Sequence, residues 1–191
     1  MSRYSRGASS HPLTLKQDVK DAAKYSLSSD DIRRSLNNDV SILLYEDLAN
    51  VDDIRHIFEP SNNVVLLYPD TQYNQGHWVA LMYHPNRNHI IYFDPYNLSI
   101  RKSLEYSRHL HNKPYILALP ELLERFPGTL DLKTKHRMQV MTDNISTCGR
   151  HVISRIIHRD LSNEEYERYL VYDKLSADEI VTLITVDTLP G

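Results

Sequence analysis

The chain has 191 residues, 41% of them hydrophobic and 25% charged, and this length can bury the core of one domain. The formal net charge of −3 excludes the overall basicity that is typical of nucleic-acid-binding domains, and the single cysteine excludes an internal disulfide. No apolar run has the length of a membrane span, and the polar N-terminus lacks the apolar stretch of a signal peptide. We therefore expect a soluble protein of the cytoplasm or nucleus.

The first third of the sequence predicts an arm, helices and two strands. Residues 1–12 are polar and predict a flexible N-terminal arm, so that residues 13–191 form a single domain. Ser28 followed three positions later by Asp31 has the pattern of a capping box and predicts the start of a helix. The elements predicted in this part are two helices within residues 15–36, a strand at 40–45, a helix at 51–58, and a strand at 63–68 that is apolar enough to be buried on both faces.

The next stretch predicts a β-hairpin that carries a histidine and a carboxylate. Strands are predicted at 77–83 and 89–94, with a polar turn around Pro85 between them. Such a hairpin brings the start of its first strand beside the end of its second, so we expect His77 to lie near Asp94, 17 positions later. A carboxylate that holds a histidine fixes its tautomer and stabilises the imidazolium, which is half of a nucleophilic site.

The rest of the sequence predicts mainly helices. Ser162 to Glu165 and Ser176 to Glu179 have the capping-box pattern that begins a helix. The order of helices, strands and further helices predicts the α+β class, with a mixed central β-sheet flanked by helices. The elements predicted here are a helix at 101–111, a strand at 114–118, a helix at 120–126, a charged loop at 127–137, a short strand at 137–140, a helix at 147–157, and helices from 162 and 176.

Cys148, the only cysteine, lies in the first turn of a predicted helix. The partial positive charge of a helix N-terminus favours the thiolate, and the free amides there can stabilise an oxyanion. Gly149 has no side chain and lets substrate or neighbouring backbone approach closely. A single cysteine can also be a buried small side chain, and a His–Asp pair a structural hydrogen bond. The conjunction of both features favours nucleophilic catalysis.

These motifs resemble the adenain/SUMO-protease superfamily of cysteine peptidases. The chain order His77, Asp94, Gln139, Cys148 is the order of that family. The resemblance covers roughly residues 40–160. Within this range the chain is most similar to the capsid-maturation proteases of virophages and Polinton/Maverick elements, of the mavirus type. The segments that carry this finer similarity are Tyr45 to Leu48, Leu66 to Tyr68 and Ser146 to Arg150. The resemblance implies a papain-like or adenain-like fold with the nucleophile at the N-terminus of a central helix.

The resemblance also implies roles for individual residues. Cys148 is the expected nucleophile, His77 the general base and then acid, and Asp94 the residue that orients the ring. Gln139 is the expected oxyanion donor, although it lies nine positions before Cys148, whereas the family places this glutamine about six or seven before. Asn144 is therefore an alternative donor. For substrate binding, the resemblance adds Trp78 as a wall of a narrow groove.

The other histidines predict no further site. His109 and His111 could pair as metal ligands, but no third ligand has suitable spacing, so we expect a surface helix. His151 and His158 lie seven positions apart on the Cys148 helix and are expected to be packing or surface groups. We expect neither a metal nor an organic cofactor.

The function implied by the resemblance is a viral cysteine endopeptidase that processes capsid or virion proteins during particle maturation. Its substrates would be capsid proteins of the major-capsid and penton type, and its location the host cell cytoplasm at the virus factory, the virion, or both. We expect a monomer with no membrane partner, and DNA as an activator has no support in the net charge. Two alternatives stay open at this point: an isopeptidase that acts on ubiquitin-like modifiers of host proteins, and an inactive binding scaffold.

Overall fold

The computed structural model describes residues 12–70, 76–142, 145–171 and 174–186, with side chains from residue 17 onwards. Within these ranges the chain is α+β, as predicted. The strands are β1 (Ser41–Leu44), β2 (Asn63–Pro69), β3 (Gly76–His84), β4 (His89–Phe93) and β5 (Thr129–Asp131). The helices are α1 (Pro12–Ala22), α2 (Ser29–Ser35), α3 (Ile100–Tyr106), α4 (Ala118–Glu124), α5 (Cys148–Ile157), α6 (Asn163–Tyr169) and α7 (Ala177–Val186). The predicted arm, residues 1–12, lies outside the described residues except for Pro12.

The five strands form one mixed sheet in the order β1-β2-β3-β4-β5. The outer pairs β1–β2 and β4–β5 are parallel, and β2, β3 and β4 are antiparallel. In this register Tyr68 lies opposite His77, and Ala80 lies opposite Phe93. Asp94 therefore follows the last residue of β4 at the edge of the sheet where β3 begins. The predicted hairpin is confirmed.

The sheet is buried on both faces, as the apolar run of β2 predicts. On one face, Val65, Ala80 and Ile91 pack against the apolar stripe of α5, including Val152 and Ile153. The opposite face packs against α3, α4 and two short 3-10 helices, Tyr45–Asn50 and Ile54–Phe58. The sheet is thus the middle layer of the domain, and α5 lies directly on it.

Two buried arginines fix α5 in place. The Arg150 guanidinium donates to the Thr185 hydroxyl of α7 at 2.8 Å and to the Ala22 carbonyl of α1 at 3.1 Å. Further along, Arg155 donates to backbone carbonyls just beyond the end of α5 and lies over the Tyr166 ring of α6. Because both side chains are at most 1% exposed, these bonds are shielded from water and hold the helix rigidly among its neighbours.

Some predicted elements differ from the structure. Residues 114–117 form turns that lead into α4 rather than a strand, because the N–H groups of Ile116 and Ala118 bond carbonyls three positions back and the Ile116 carbonyl accepts from the Tyr45 hydroxyl. The strand predicted at 137–140 is also wrong, since those amides bond a turn and a carboxylate instead of a neighbouring strand. The helix at 51–58 is a 3-10 helix, Ile54–Phe58, and the helix at 101–111 ends at Tyr106 before a 3-10 turn. The predicted loop at 127–137 contains the three-residue β5.

The described helices are all short. None of those within the described ranges has the length and apolarity that crossing a bilayer requires.

Candidate active site

His77 and Asp94 form a direct pair at the end of the sheet where β3 begins and β4 ends. Nε2 of His77, on β3, lies 2.8 Å from Oδ1 of Asp94, just after β4. The side chain of Asp94 is 1% exposed and that of His77 is 17% exposed, so the ring separates the carboxylate from solvent. Because a carboxylate only accepts hydrogen bonds at neutral pH, Nε2 carries a hydrogen atom and donates a hydrogen bond to Asp94. The contact that the hairpin predicts is confirmed.

Asp94 is itself held by two further donors. Its Oδ1 accepts from the Tyr96 backbone N–H at 2.7 Å, and its Oδ2 accepts from the Ser103 hydroxyl of α3 at 2.9 Å. The Tyr96 ring stacks on the His77 ring, with centroids 4.4 Å apart and planes inclined by 23°. The turn after β4 therefore holds the imidazole at its Nε2 edge and on one face, which leaves little freedom for the ring to rotate.

The His77 ring is protonated at neutral pH. Burial of the ring opposes protonation, but the charge and hydrogen bond of Asp94, together with the nearby Cys148 side chain, outweigh it and raise the pKa of His77 to about 9. Nδ1 is buried and makes no hydrogen bond with any residue that the structure describes. This nitrogen is consequently the one available for exchange of a proton with a reacting group.

Cys148 is the first residue of α5, as predicted, and its thiol is next to this pair. The residue is buried, at 7% exposure, and belongs to the core cluster between α5 and the sheet. The Cys148 charge is also the second cause, after burial, of a rise in the pKa of Tyr96 to about 12. The contribution of Cys148 to the pKa of His77 shows that the start of α5 lies near the His77–Asp94 pair, although 71 positions separate Cys148 from His77 in the sequence.

Gln139 is buried, at 1% exposure, on the segment before α5. The carbonyl of Pro95 accepts from the backbone N–H groups of Met138 and Gln139 at 2.9 and 3.0 Å, which fastens this segment to the turn that carries Asp94. Neither amide atom of the Gln139 side chain has a hydrogen-bond partner among the described residues. A buried amide that makes no hydrogen bond costs free energy of folding, unless a ligand supplies the missing hydrogen bond. The alternative donor, Asn144, lies outside the described residues.

A cleft of about 600 Å³ opens beside these residues. Its walls include His77, Trp78, Tyr96 and Met141. Trp78 is 6% exposed, and its indole N–H donates to the Leu27 carbonyl at 3.2 Å, so its position is fixed. Trp78 thus lies in the cleft wall, and its role in substrate binding stays a prediction.

Gly149 is in a different position, buried within α5. A Cβ at this residue would lie 2.9 Å from the Cβ of Leu27, which is too close for an ordinary contact. Packing of the Leu27 segment against α5 therefore accounts for the missing side chain, and the substrate-binding role of Gly149 stays a prediction.

The remaining histidines agree with the packing roles expected for them. His151 is fully buried and bonds Asp178, while His158 bonds the Ser154 carbonyl and packs on the Tyr169 ring. His111 bonds a backbone carbonyl at the surface. No group of three metal-ligating side chains converges within the described part of the chain.

Sequence reasoning missed two residues of this site. Tyr96 directly follows the Asp-Pro pair, and its place in a tight turn is a signal that could have been used. Ser103 gives no such signal, because a serine within a helix is ordinary and only the fold shows that it faces Asp94.

Comparison with known proteins identifies a viral relative. No family model matches the sequence. Two solved Chlamydia trachomatis structures align with 91% of this chain at 12% identity and a TM-score of 0.42: ChlaDub1, covered over 76%, and the effector protein Cdu1 bound to ubiquitin, covered over 77%. At these scores they carry no inference about activity. The uncharacterised protein V9 of Sputnik virophage is 31% identical over 178 residues, which are 89% of this chain and 99% of that protein. The chain therefore belongs to the family of the Sputnik virophage protein V9.

Proposed function

We propose that the protein is a cysteine peptidase of the adenain-like type, with Cys148 as nucleophile, His77 as general base and acid, and Asp94 as the residue that orients the ring. The observation that carries this proposal is the hydrogen bond of His77 to the buried Asp94, with the only cysteine of the chain at the start of α5 close to the same ring. An imidazolium next to a thiol at a helix N-terminus stabilises the thiolate, which is the reactive form.

The chemistry follows from this ion pair. The thiolate sulfur of Cys148 attacks the peptide carbonyl carbon, and the carbonyl oxygen becomes an oxyanion. His77 then gives its Nδ1 proton to the leaving amine, and the C–N bond breaks to leave an acyl-enzyme. Water, deprotonated by the neutral ring, attacks the acyl carbon and releases the acid and the thiolate. The hydrogen bond at Nε2 keeps Nδ1 directed at the reacting atoms throughout.

Gln139 is the side-chain oxyanion donor in this proposal, beside the backbone N–H of Cys148. Its unpartnered buried amide supports the assignment. Gln139→Ala should lower kcat by about 10²–10³-fold with little change in KM, because the bond forms only in the transition state. Steady-state kinetics of the two proteins test this. An unchanged kcat in Gln139→Ala, together with a large loss in Asn144→Ala, would transfer the role to Asn144.

For the substrate, we propose the capsid proteins of the virus that encodes the peptidase. Membership of a virophage protein family supports a viral substrate, and the half-open cleft beside His77 has the volume for an extended peptide chain. Maturation of particles would place the protein at the virus factory, in the virion, or both. Its assignment to the mavirus type, its monomeric state and its single-domain organisation stay predictions.

Co-expression with the capsid proteins tests this function. Wild-type protein should trim the major capsid or penton protein, and Cys148→Ala should leave it intact when both products are compared by intact mass. A ubiquitin C-terminal reporter, assayed in parallel, measures the isopeptidase alternative. Cleavage of the reporter without capsid trimming would contradict capsid proteins as the substrate and favour the isopeptidase alternative. Absence of cleavage in both assays would contradict a peptidase and favour a binding scaffold.

A further inference from the structure

The chemistry proposed above makes no use of a buried carboxylate that lies next to the site. Asp178, in the first turn of α7, is 3% exposed. Its Oδ1 accepts from the Thr147 hydroxyl and, at 3.0 Å, from Nε2 of His151. Its Oδ2 accepts from the backbone N–H of Val140 at 3.0 Å. One carboxylate on the last described helix thus bonds α5 and the segment before it.

The Asp178 side chain is ionised at neutral pH. Burial alone would raise its pKa, but the hydrogen bonds from His151, Thr147 and Val140 outweigh burial and hold the pKa below its usual value. Bonds to an ionised acceptor in a buried place are strong and directional. The three donors are therefore held at well-defined positions relative to one another.

Two of these donors are chain neighbours of the reacting groups. Thr147 directly precedes Cys148, and Val140 directly follows Gln139. The Gln139 segment is also held by the Pro95 carbonyl, which accepts hydrogen bonds from the backbone N–H groups of Met138 and Gln139. The segment between Gln139 and Cys148 is also held by the Ser146 N–H, which donates to the Ala23 carbonyl. Asp178 differs from these contacts because it bonds both the residue after Gln139 and the residue before Cys148.

We propose that Asp178 is a positioning residue that sets the distance between the oxyanion donor Gln139 and the nucleophile Cys148. The inference rests on the proposed peptidase function. It gives α7 a role in catalysis, which acts through the positions of Gln139 and Cys148. An error of about 1 Å in the placement of a catalytic group can lower a rate 10²-fold, so loss of the Asp178 bonds should act on turnover.

The test uses Asp178→Asn, which keeps the side-chain size but cannot accept hydrogen bonds at both of its terminal atoms. With a fluorogenic peptide that spans the cut site found in the co-expression experiment, kcat should fall about 10–100-fold while KM changes little. In the Gln139→Ala background, Asp178→Asn should lower kcat by less than about threefold, because the donor that it misplaces is already absent. Alkylation of Cys148 by iodoacetamide, which forms no oxyanion, should proceed at nearly the wild-type rate.

Asp131→Asn is the matched control. Asp131 also joins two elements through its carboxylate, bonding the backbone and side chain of Asn163 at 3.0 Å, and these bonds involve neither α7 nor the segment from Gln139 to Cys148. It should alter the melting temperature without altering kcat. An undiminished kcat in Asp178→Asn, or an equal loss with and without Gln139, would overturn the positioning role. If Cys148→Ser cleaved the peptide as fast as wild type, the peptidase proposal itself would fall instead.

Discussion

Replacing Cys148 by serine should lower peptide hydrolysis by at least about 10⁴-fold without unfolding the protein. A serine hydroxyl is not ionised by a neighbouring imidazolium at neutral pH, so the nucleophile of the proposed mechanism is lost while its volume is nearly kept. Because Cys148 is 7% exposed and packs in the core cluster that includes Val152, burial of the serine hydroxyl should lower the melting temperature by about a few degrees while the protein stays folded. Steady-state hydrolysis and thermal unfolding of both proteins measure the two effects.

The sequence makes the control for this experiment unusually clean. Since the chain has one cysteine, any thiol label reports on Cys148 alone. One iodoacetamide equivalent per chain, counted by intact mass, should abolish hydrolysis, and substrate present in excess should slow the labelling. Full activity of the singly labelled protein would show that the thiol takes no part in the reaction.

Asp94→Asn should lower kcat about 10²–10⁴-fold and change the pH profile. Against burial, the charge and hydrogen bond of Asp94 contribute most to raising the pKa of His77 to about 9, with a smaller contribution from Cys148, so removal of the Asp94 charge should bring that pKa down towards the ordinary value of 6.5. Hydrolysis depends on the protonated ring, and its alkaline limb should move from near pH 9 to lower pH in the variant. Measurement of kcat/KM across this range tests the shift.

The same substitution has a consequence for stability. A histidine whose pKa is raised on folding stabilises the folded state fully below its unfolded pKa of 6.5, and the stabilisation is lost as the pH rises through about 9. Urea unfolding should therefore show wild type losing stability between these values, with a smaller loss in Asp94→Asn. Ser103→Ala, which removes only one bond to the carboxylate, is the milder control. An identical pH dependence in all three proteins would contradict the assigned role of Asp94.

Much of the fold could be predicted from local patterns. The capping boxes at Ser28 and Ser162 each begin a helix in the structure, and the apolar run of β2 is buried on both faces. Where prediction fails, the hydrogen bonds are made at long range. Residues 138–140 have strand-like composition, but their amides bond Pro95 and Asp178, which no local pattern reveals.

For the candidate site too, local patterns predict some residues, whereas others depend on long-range contacts. Hairpin geometry places His77 beside Asp94 because His77 lies on β3 and Asp94 directly follows the paired strand β4. The sequence pattern around Cys148 predicts a helix N-terminus. The groups that hold those residues come from distant elements: Ser103 from α3 and Asp178 from α7. Their helical contexts look ordinary in the sequence, so their contribution depends on tertiary packing alone.

The chain contains one tryptophan, Trp78, and the fold places it in the wall of the cleft with its indole N–H bonded to Leu27. The indole emission spectrum responds to polarity and to the loss of such a bond. The protein therefore carries an intrinsic optical reporter at the cleft, through which the arrival of a peptide can be followed without attaching a dye.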